Sequence, residues 1–319
     1  MSRTATTDAA VAPAASPSAF RRFSRSHLVV SFRRSPGAVV GGAILLLLVA
    51  GALLAPWVAA TDPYDLGTLS LLNSRLPPIW LDGGTWPFLL GTDTQGADLL
   101  SLILYGMRTS LLVGLAAVAM SCTLGTLLGL IAGYFGGFVG GFIMRAADIQ
   151  FTFPAILLAL LIGGIAKAVL PSSLQVAFAL PVVVVALGLS HWPHFARLVR
   201  GGVLVEKKKD YVAAARLAGR GATTIMARQL LPNVMNVIFV LATLDVAFAV
   251  MGEATLSFLG FGLPPTQPSL GTLIRTGYSY LFAGEWWLVI FPGLMLMLLI
   301  VAINLLGDWL RDALNPRLR

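Results

Sequence analysis

The chain has 319 residues, of which 57% are hydrophobic and only 11% are charged. A soluble globular domain carries roughly a quarter of its residues as charged side chains, so this composition excludes that class. The net charge of +8 could suit nucleic acid, but its distribution along the chain decides its meaning. Cys122 is the single cysteine, which excludes a disulfide framework and a cysteine metal site.

Long apolar segments follow one another along the chain and predict an all-α, polytopic membrane protein with six transmembrane helices. The first segment is longer than the core of a signal peptide, so we expect an uncleaved anchor. Pro154 is expected to bend the third helix. The predicted spans cover about 38–60, 110–134, 138–165, 174–192, 234–256 and 286–306.

The spans divide the chain into two predicted parts. Residues 1–35 form a basic N-terminal arm, which is expected to be partly disordered because its first 20 residues are rich in Ala, Ser, Pro and Thr. Residues 36–319 form the transmembrane domain. One long polar connection, residues 193–233, joins the fourth and fifth spans.

Lysine and arginine concentrate in the N-terminal arm, the 193–233 connection and the C-terminal tail. With six spans these three regions lie on one side, which the positive-inside rule makes cytoplasmic, together with both termini. The positive charge is therefore a topology signal, and we expect a lipid bilayer and no nucleic acid as its partner. The basic residues predicted on the opposite side are Arg75, Arg108, Lys167 and Arg275.

The connection contains DYVAAARLAGRGATTIMARQLLPN, residues 210–233, which has the pattern of two short helices and a turn. Asp210 is expected to cap the first helix and Gly219 with Gly221 to end it. Thr223 or Thr224 would cap the second helix, and Pro232 would end it. On the first helix the pattern predicts a small face and a basic face: Tyr211, Ala214, Ala215, Ala218 and Ala222 on one, and Lys209, Arg216 and Arg220 on the other.

This segment has two simpler interpretations. It could be a solvated amphipathic connector that lies on the membrane surface. It also fits the local pattern of a DNA-reading helix-turn-helix, but membrane spans at both ends would hinder its entry into a major groove.

Several charged or titratable side chains fall within or beside predicted spans. Asp245 lies near the middle of the fifth span, so it should face a cavity or a partner helix, either on a translocation path or as a packing hydrogen bond. Glu253 could meet a substrate amine or cap a neighbouring loop. Other expectations are local: Arg145 is expected to pair with Asp148, and His191 and His194 to lie at the membrane interface, with a metal site as the alternative.

The sequence contains no motif for catalysis. It has no GxxxxGK[ST] phosphate loop, no HExxH cluster and no GxSxG nucleophile context. We therefore expect a protein that is not an enzyme and that binds no cofactor.

The segment at 210–233 resembles the cytoplasmic EAA loop of ABC-transporter permeases, the membrane subunits of binding-protein-dependent importers. The matching positions are Ala213-Ala214-Ala215, Gly219 and Leu230-Leu231-Pro232-Asn233. The departure is Ala213, where the family usually has Glu. The resemblance implies a coupling helix seated on an ATP-binding subunit. Its implied coupling residues are Asp210, Tyr211, Ala213, Ala214, Ala215, Arg216, Gly219, Arg220, Leu231 and Pro232.

Three more stretches are similar to permeases of dipeptide, oligopeptide and nickel importers. Residues 91–115 resemble the segment before their second span, with Ala97 where Arg is common, and residues 133–160 fit as well. Residues 252–274 resemble the hallmark of their second permease, with Leu270 where Trp is common. The matching positions there include Glu253, Ser257, Phe258, Leu259, Gly260 and Gly262.

The resemblance implies the type I ABC importer permease fold in a bacterial inner membrane. It implies ATP-driven import of di- or oligopeptides with a second permease, two ATP-binding subunits that use ATP and Mg, and an extracytoplasmic binding protein. The same machine could instead carry nickel or another small solute. An ATPase-independent secondary transporter is the alternative class, but it would be expected to show inverted repeats, and none is clear.

Overall fold

The computed structural model of the protein describes residues 27–65, 67 and 69–314. The predicted disorder of residues 1–20 lies outside the described residues, so it stays a prediction. Within the described ranges the regular elements are helical, as the composition predicted. In chain order they are α1 (His27–Arg34), α2 (Pro36–Val58), α3 (Leu99–Phe135), α4 (Gly137–Phe151), α5 (Ala155–Val169), α6 (Ser172–Glu206), α7 (Asp210–Leu217), α8 (Ala222–Ile225), α9 (Leu231–Phe258), α10 (Leu270–Tyr278) and α11 (Trp287–Leu314).

Five helical segments and one bent pair of helices correspond to the six predicted membrane spans. Helices α2, α3, α6 and α11 are each long and apolar enough to cross a bilayer, as is the helical stretch Ala222–Phe258 that contains α8 and α9. Helices α4 and α5 together form a sixth candidate span that is bent by 89°. The bend lies at Pro154, which directly precedes α5, so the predicted effect of this proline is confirmed.

Helix α3 begins earlier than predicted, at Leu99 rather than near residue 110. Asp98 caps it, because its Oδ2 accepts hydrogen bonds from the Ser101 backbone N–H at 2.8 Å and from Ser101 Oγ at 2.6 Å. Ser101 Oγ also accepts from the backbone N–H of Ala60 at 2.9 Å, which ties the end of α2 to the start of α3. Burial raises the pKa of the Asp98 carboxyl, partly offset by these hydrogen bonds.

Helix α6 is also longer than the predicted span of 174–192. It continues through Pro193 and ends at Glu206, so residues 193–206 of the predicted connection are helical. A proline removes one helical hydrogen bond, and the tight packing of this stretch outweighs that loss. Phe195, Ala196, Val199 and Val203 are almost fully buried.

The main core lies where α3 packs along α6, and glycines make this approach possible. Gly125, Gly129 and Gly133 are spaced four apart on α3 and face α6. A Cβ on Gly129 would lie 2.6 Å from the Ala196 carbonyl oxygen and 2.8 Å from Val199 Cβ. Small residues at this spacing let helix backbones approach closely in membranes.

A second core joins α2 and α11 to α3 and α9. Leu48 of α2, Ile103 of α3, Val250 of α9 and Leu299 of α11 are buried together there, with α10 packed alongside. Helices α3 and α9 therefore belong to both cores and hold the two halves together.

Substitution of Gly129 by leucine is expected to destabilise the protein. Overpacking a close helix contact costs about 1–3 kcal/mol. The matched control is Gly293→Leu on α11, since a Cβ there meets no atom within 4 Å. Thermal unfolding in detergent should show a lower midpoint for Gly129→Leu than for Gly293→Leu. Equal midpoints would contradict the role given to Gly129.

Candidate functional site

The short helix α7 is anchored in the main core by two side chains on its inner face. Val212 is fully buried and Ala215 is 6% exposed. They belong to the same buried cluster as Ile225 of α8 and Leu230, which precedes α9. The predicted alanine face is therefore divided, because Ala215 points inward while Ala214 is exposed.

The outer face of α7 is open and mostly small. Ala213, Ala214 and Ala218 are exposed, as are Arg216 and Arg220. Leu217, which sequence reasoning did not select, is 91% exposed on this face. The signal in the sequence that could have identified Leu217 is its position as a large apolar residue in a basic, alanine-rich helix. A shallow face of small residues with one projecting leucine suits docking into a groove of another protein.

The predicted caps of this segment were wrong in three places. Lys209 occupies the N-cap position, and Asp210 is the first residue of α7 without a capping hydrogen bond. Gly221 precedes α8, so neither predicted threonine caps it. Pro232 does not end a helix. It lies in the first turn of α9, directly after the π-helical turn Met226–Leu230, so the chain stays helical across the proline.

Gly219 ends α7 as predicted, through a left-handed backbone. Its φ is +72°, and the N–H of Arg220 reaches back to the Ala215 carbonyl at 3.1 Å while the N–H of Gly219 bonds the Arg216 carbonyl at 3.0 Å. This is the Schellman arrangement, which strongly favours glycine. The glycine therefore fixes the direction in which the chain leaves α7.

Tyr211 joins α7 to the two long helices that flank it. Its hydroxyl donates to Glu206 Oε2 at the end of α6 at 2.6 Å, and it accepts from Asn233 Nδ2 of α9 at 3.2 Å. Lys209 Nζ donates to the other Glu206 oxygen at 2.6 Å. Desolvation and the bond to Glu206 raise the pKa of Tyr211 to about 12, so the phenol stays protonated at neutral pH and can donate.

A second link runs from α7 to α3. The guanidinium of Arg216 lies 5.5 Å from the ring centroid of Tyr134, near the end of α3. Lys207 Nζ lies at the same distance from that ring and also donates to the Tyr134 backbone carbonyl. We call residues 207–230, which contain α7, α8 and the π-helical turn Met226–Leu230, the elbow. The elbow is thus attached to α3, α6 and α9.

Glu253 lies in the interior and not on an open surface. It is fully buried, and its two oxygens accept from Ser110 Oγ of α3 and from Ser257 Oγ, each at 2.7 Å. Ser110 Oγ in turn accepts from the backbone N–H of Leu270 at 3.2 Å. This arrangement argues against the predicted contact with a substrate amine and matches the other hypothesis, the capping of a neighbouring loop.

The residues of the hallmark block form the turn that Glu253 supports. Ser257 Oγ also accepts from the N–H of Leu263 at 3.2 Å, and Gly260 has a φ of +85°. A Cβ on Gly262 would lie 2.5 Å from the Ser257 backbone, so only glycine fits there. Phe258 and Leu259 are partly exposed beside this turn. The block therefore shapes the connection from α9 to α10.

Asp245 lies half-way along α9 and pairs with His191, which lies half-way along α6. His191 Nδ1 is 2.6 Å from Asp245 Oδ1. His191 therefore has a partner on another helix, and its predicted position at the membrane interface stays a prediction. The pair lies beside a cavity of 550 Å³ between α5, α6 and α9.

The predicted pair of Arg145 and Asp148 does not form. Asp148 Oδ1 instead accepts from Arg197 of α6 at 2.7 Å, and the Arg197 guanidinium lies 4.2 Å from the ring centroid of Phe151. Gln150 also bridges α4 to α6, since its amide donates to the Leu189 carbonyl at 2.6 Å. These contacts fix the first half of the bent span against α6.

Comparison with known proteins agrees with this architecture. Residues 125–319 match the family model described as binding-protein-dependent transport system inner membrane component. Residues 18–78 match the N-terminal TM domain of oligopeptide transport permease C. A multi-pass helical bundle with an elbow of this kind defines a permease subunit of an ABC importer, and the chain belongs to the family of inner membrane components of binding-protein-dependent transport systems.

Two relatives resemble it over nearly their whole length. The di/tripeptide transport system permease protein DppC of Pseudomonas aeruginosa is 42% identical over 308 residues, which is 97% of each chain. The dipeptide transport system permease protein DppC of Escherichia coli K12 is 43% identical over 288 residues, 90% of this chain and 91% of that one. The predicted resemblance to importer permeases is confirmed.

The fold also matches a solved structure. The MetNI methionine ABC transporter, in inward-facing conformations, aligns with a TM-score of 0.52 at 20% identity over 67% of this chain and 96% of that chain. At this identity the likeness concerns the fold alone, and it confirms the predicted type I ABC importer permease fold.

Tyr211→Phe is expected to loosen the elbow. The change removes the hydroxyl that joins Glu206 to Asn233, and a hydrogen bond contributes about 0.5–1.5 kcal/mol net. Trypsin should then cleave the lysine-rich turn at residues 207–209 several-fold faster. Tyr278→Phe is the matched control, because this tyrosine lies far along the chain beside Phe258. Unchanged cleavage in Tyr211→Phe would contradict the proposed link.

Proposed function

We propose that this chain is one of two permease subunits of an ATP-driven importer that moves di- or oligopeptides delivered by an extracytoplasmic binding protein. Its relatives are named as permeases for dipeptides and for di- and tripeptides, and they match it over at least nine-tenths of its length. Two ATP-binding subunits would use ATP and Mg, and the chain itself would bind no cofactor.

The observation that carries the proposal is the exposed outer face of α7 on a firmly attached elbow. Ala213, Ala214 and Leu217 are free to meet an ATP-binding subunit, while Val212 and Ala215 hold the helix from below. Force applied to such a helix is transmitted as a rigid-body movement. Its fixed links to α3, α6 and α9 would carry that movement into the membrane.

The elbow belongs on the cytoplasmic side in this proposal. Lys207, Lys208, Lys209, Arg216 and Arg220 lie within it, and positive charge marks the cytoplasmic side of a membrane protein. Both termini would then be cytoplasmic, since six spans separate the arm from the tail.

The function can be tested by reconstituting the chain with its partner permease, the ATP-binding subunits and the binding protein in vesicles. Labelled dipeptide should accumulate only when ATP and Mg are supplied. Accumulation of nickel in place of peptide would favour the alternative substrate. Peptide accumulation without ATP would favour a secondary transporter and would overturn the proposal.

Gly219→Ser is expected to lower peptide uptake several-fold. A non-glycine residue at positive φ costs about 1–2 kcal/mol, which would change the direction of the chain after α7. The matched control is Gly221→Ser, since Gly221 has a φ of −67° at an N-cap position that favours serine. A Cβ on either glycine meets no atom within 4 Å of this chain. Equal uptake by the two variants would contradict the coupling role of the turn.

A further inference from the structure

The cavity beside Asp245 has the size and lining of a small-ligand site. Its volume of 550 Å³ lies within the range of about 300–1,000 Å³ that is usual for such sites. Apolar side chains such as Leu187, Leu241 and Phe248 form most of the wall. Polar groups are few, and they include His191, His194 and Asp245.

The cavity follows one face of α9. Residues 241, 244, 245, 248, 251, 252 and 255 all line it, which is the spacing of a single helical face. Phe248 is 57% exposed and Met251 is 47% exposed, so the face is open rather than packed. From Asp245 to Thr255 the groove extends about 15 Å, whereas two extended residues span only about 7 Å.

Asp245 keeps unused hydrogen-bonding capacity at the cavity wall. A carboxylate has about four acceptor positions on its two oxygens. His191 occupies one, and Ser121 Oγ lies 3.3 Å from Oδ2 but shares its single hydrogen with the Val118 carbonyl. The Asp245 side chain is 6% exposed and that of His191 is 15% exposed, so both can be reached from the cavity.

We infer that Asp245 is the subsite for the α-ammonium group of a peptide and that His191 is its partner only while the cavity is empty. The inference rests on the proposed function. An ammonium group is costly to bring into an apolar cavity unless a carboxylate receives it. Asp245 offers that carboxylate half-way along the membrane helix. When the ammonium donates to Asp245, it replaces the hydrogen-bonding contact that His191 makes in the empty cavity.

This arrangement would make recognition independent of the peptide side chains. The ammonium group is common to peptides with a free N-terminus, and the apolar wall beyond Asp245 makes few directional contacts. Apolar pockets discriminate weakly between side chains, since one methylene is worth only about 1–3 kcal/mol. A short peptide would therefore be held by its charged end and tolerated in its side chains.

The simpler role of the pair is to hold α6 against α9. In that case both members would matter equally, because either substitution breaks the same contact. The subsite assigns them opposite importance, since the peptide needs Asp245 but displaces His191. Variants of the two residues therefore distinguish the roles.

The experiment uses the complete transporter in vesicles and measures uptake of labelled dialanine together with ATP hydrolysis stimulated by the binding protein. Asp245→Asn should lower uptake per ATP hydrolysed about tenfold or more, because hydrogen bonds to charged groups are among the stronger ones. His191→Phe, which keeps an aromatic ring but removes the donor to Asp245, should stay within about threefold of the wild type. Glu253→Gln is the matched control. It removes a second buried carboxylate of α9 and should leave uptake per ATP hydrolysed unchanged.

Normal uptake by Asp245→Asn would overturn the subsite. A parallel loss of uptake and ATP hydrolysis in Asp245→Asn and His191→Phe would overturn it as well, in favour of helix packing. The wild type separates this inference from the proposed function. If wild-type vesicles take up no dipeptide with ATP, the proposed function fails and the subsite with it. If wild-type vesicles do take up dipeptide with ATP, the Asp245 and His191 variants decide whether Asp245 is the subsite.

Discussion

A charge within a bilayer must find partners inside the protein, and this constraint accounts for much of the structure. Helix α9 carries two carboxylates, and each meets the constraint differently. Glu253 is sealed between Ser110 and Ser257 with both oxygens occupied. Asp245 has one close partner and a cavity beside it. A sealed carboxylate stabilises a turn, whereas a carboxylate at a cavity wall can receive a new donor.

The close approach of α3 and α6 determines where the other helices can lie. Gly125, Gly129 and Gly133 allow the contact, and α9 then packs against both partners. The elbow lies between the end of α6 and the start of α9. The Tyr211 hydroxyl donates to Glu206 of α6 and accepts from Asn233 of α9. Helix α6 is therefore held against α3 by the close glycine contact and is linked to α9 by the hydrogen bonds of the elbow.

The sequence predicted the features that depend on local composition. The six spans, the bend at Pro154 and the glycine stop at Gly219 all follow from hydropathy or backbone geometry at one place in the chain. The start of α3 and the end of α6 were predicted wrongly. Helix α6 continues past Pro193 and Arg197, because the burial of Phe195 and Val199 in the core outweighs the cost of the proline and the charge.

Polar pairing was predicted poorly for the same reason. Asp148 and Arg145 satisfy the spacing rule of a helix, yet Asp148 bonds Arg197, which is 49 residues away. The partner of Asp245 is 54 residues away on another helix. Such contacts depend on how helices pack, which one sequence does not encode in a local pattern. The same limit applies to α7. The sequence pattern could not show that Val212 and Ala215 are buried while their neighbours on the helix are exposed.

The elbow and the Asp245 pair are mechanically connected through the same two helices. His191 lies on α6, which ends at the elbow with Glu206, and Asp245 lies on α9, which leaves the elbow at Leu231. Each is about 20 Å along its helix from the elbow at 1.5 Å per residue. Because a hydrogen bond weakens steeply with misalignment, a tilt of one helix against the other would weaken the bond between Nδ1 and Oδ1. In the proposed importer, movement of the elbow would therefore change the availability of the Asp245 carboxylate.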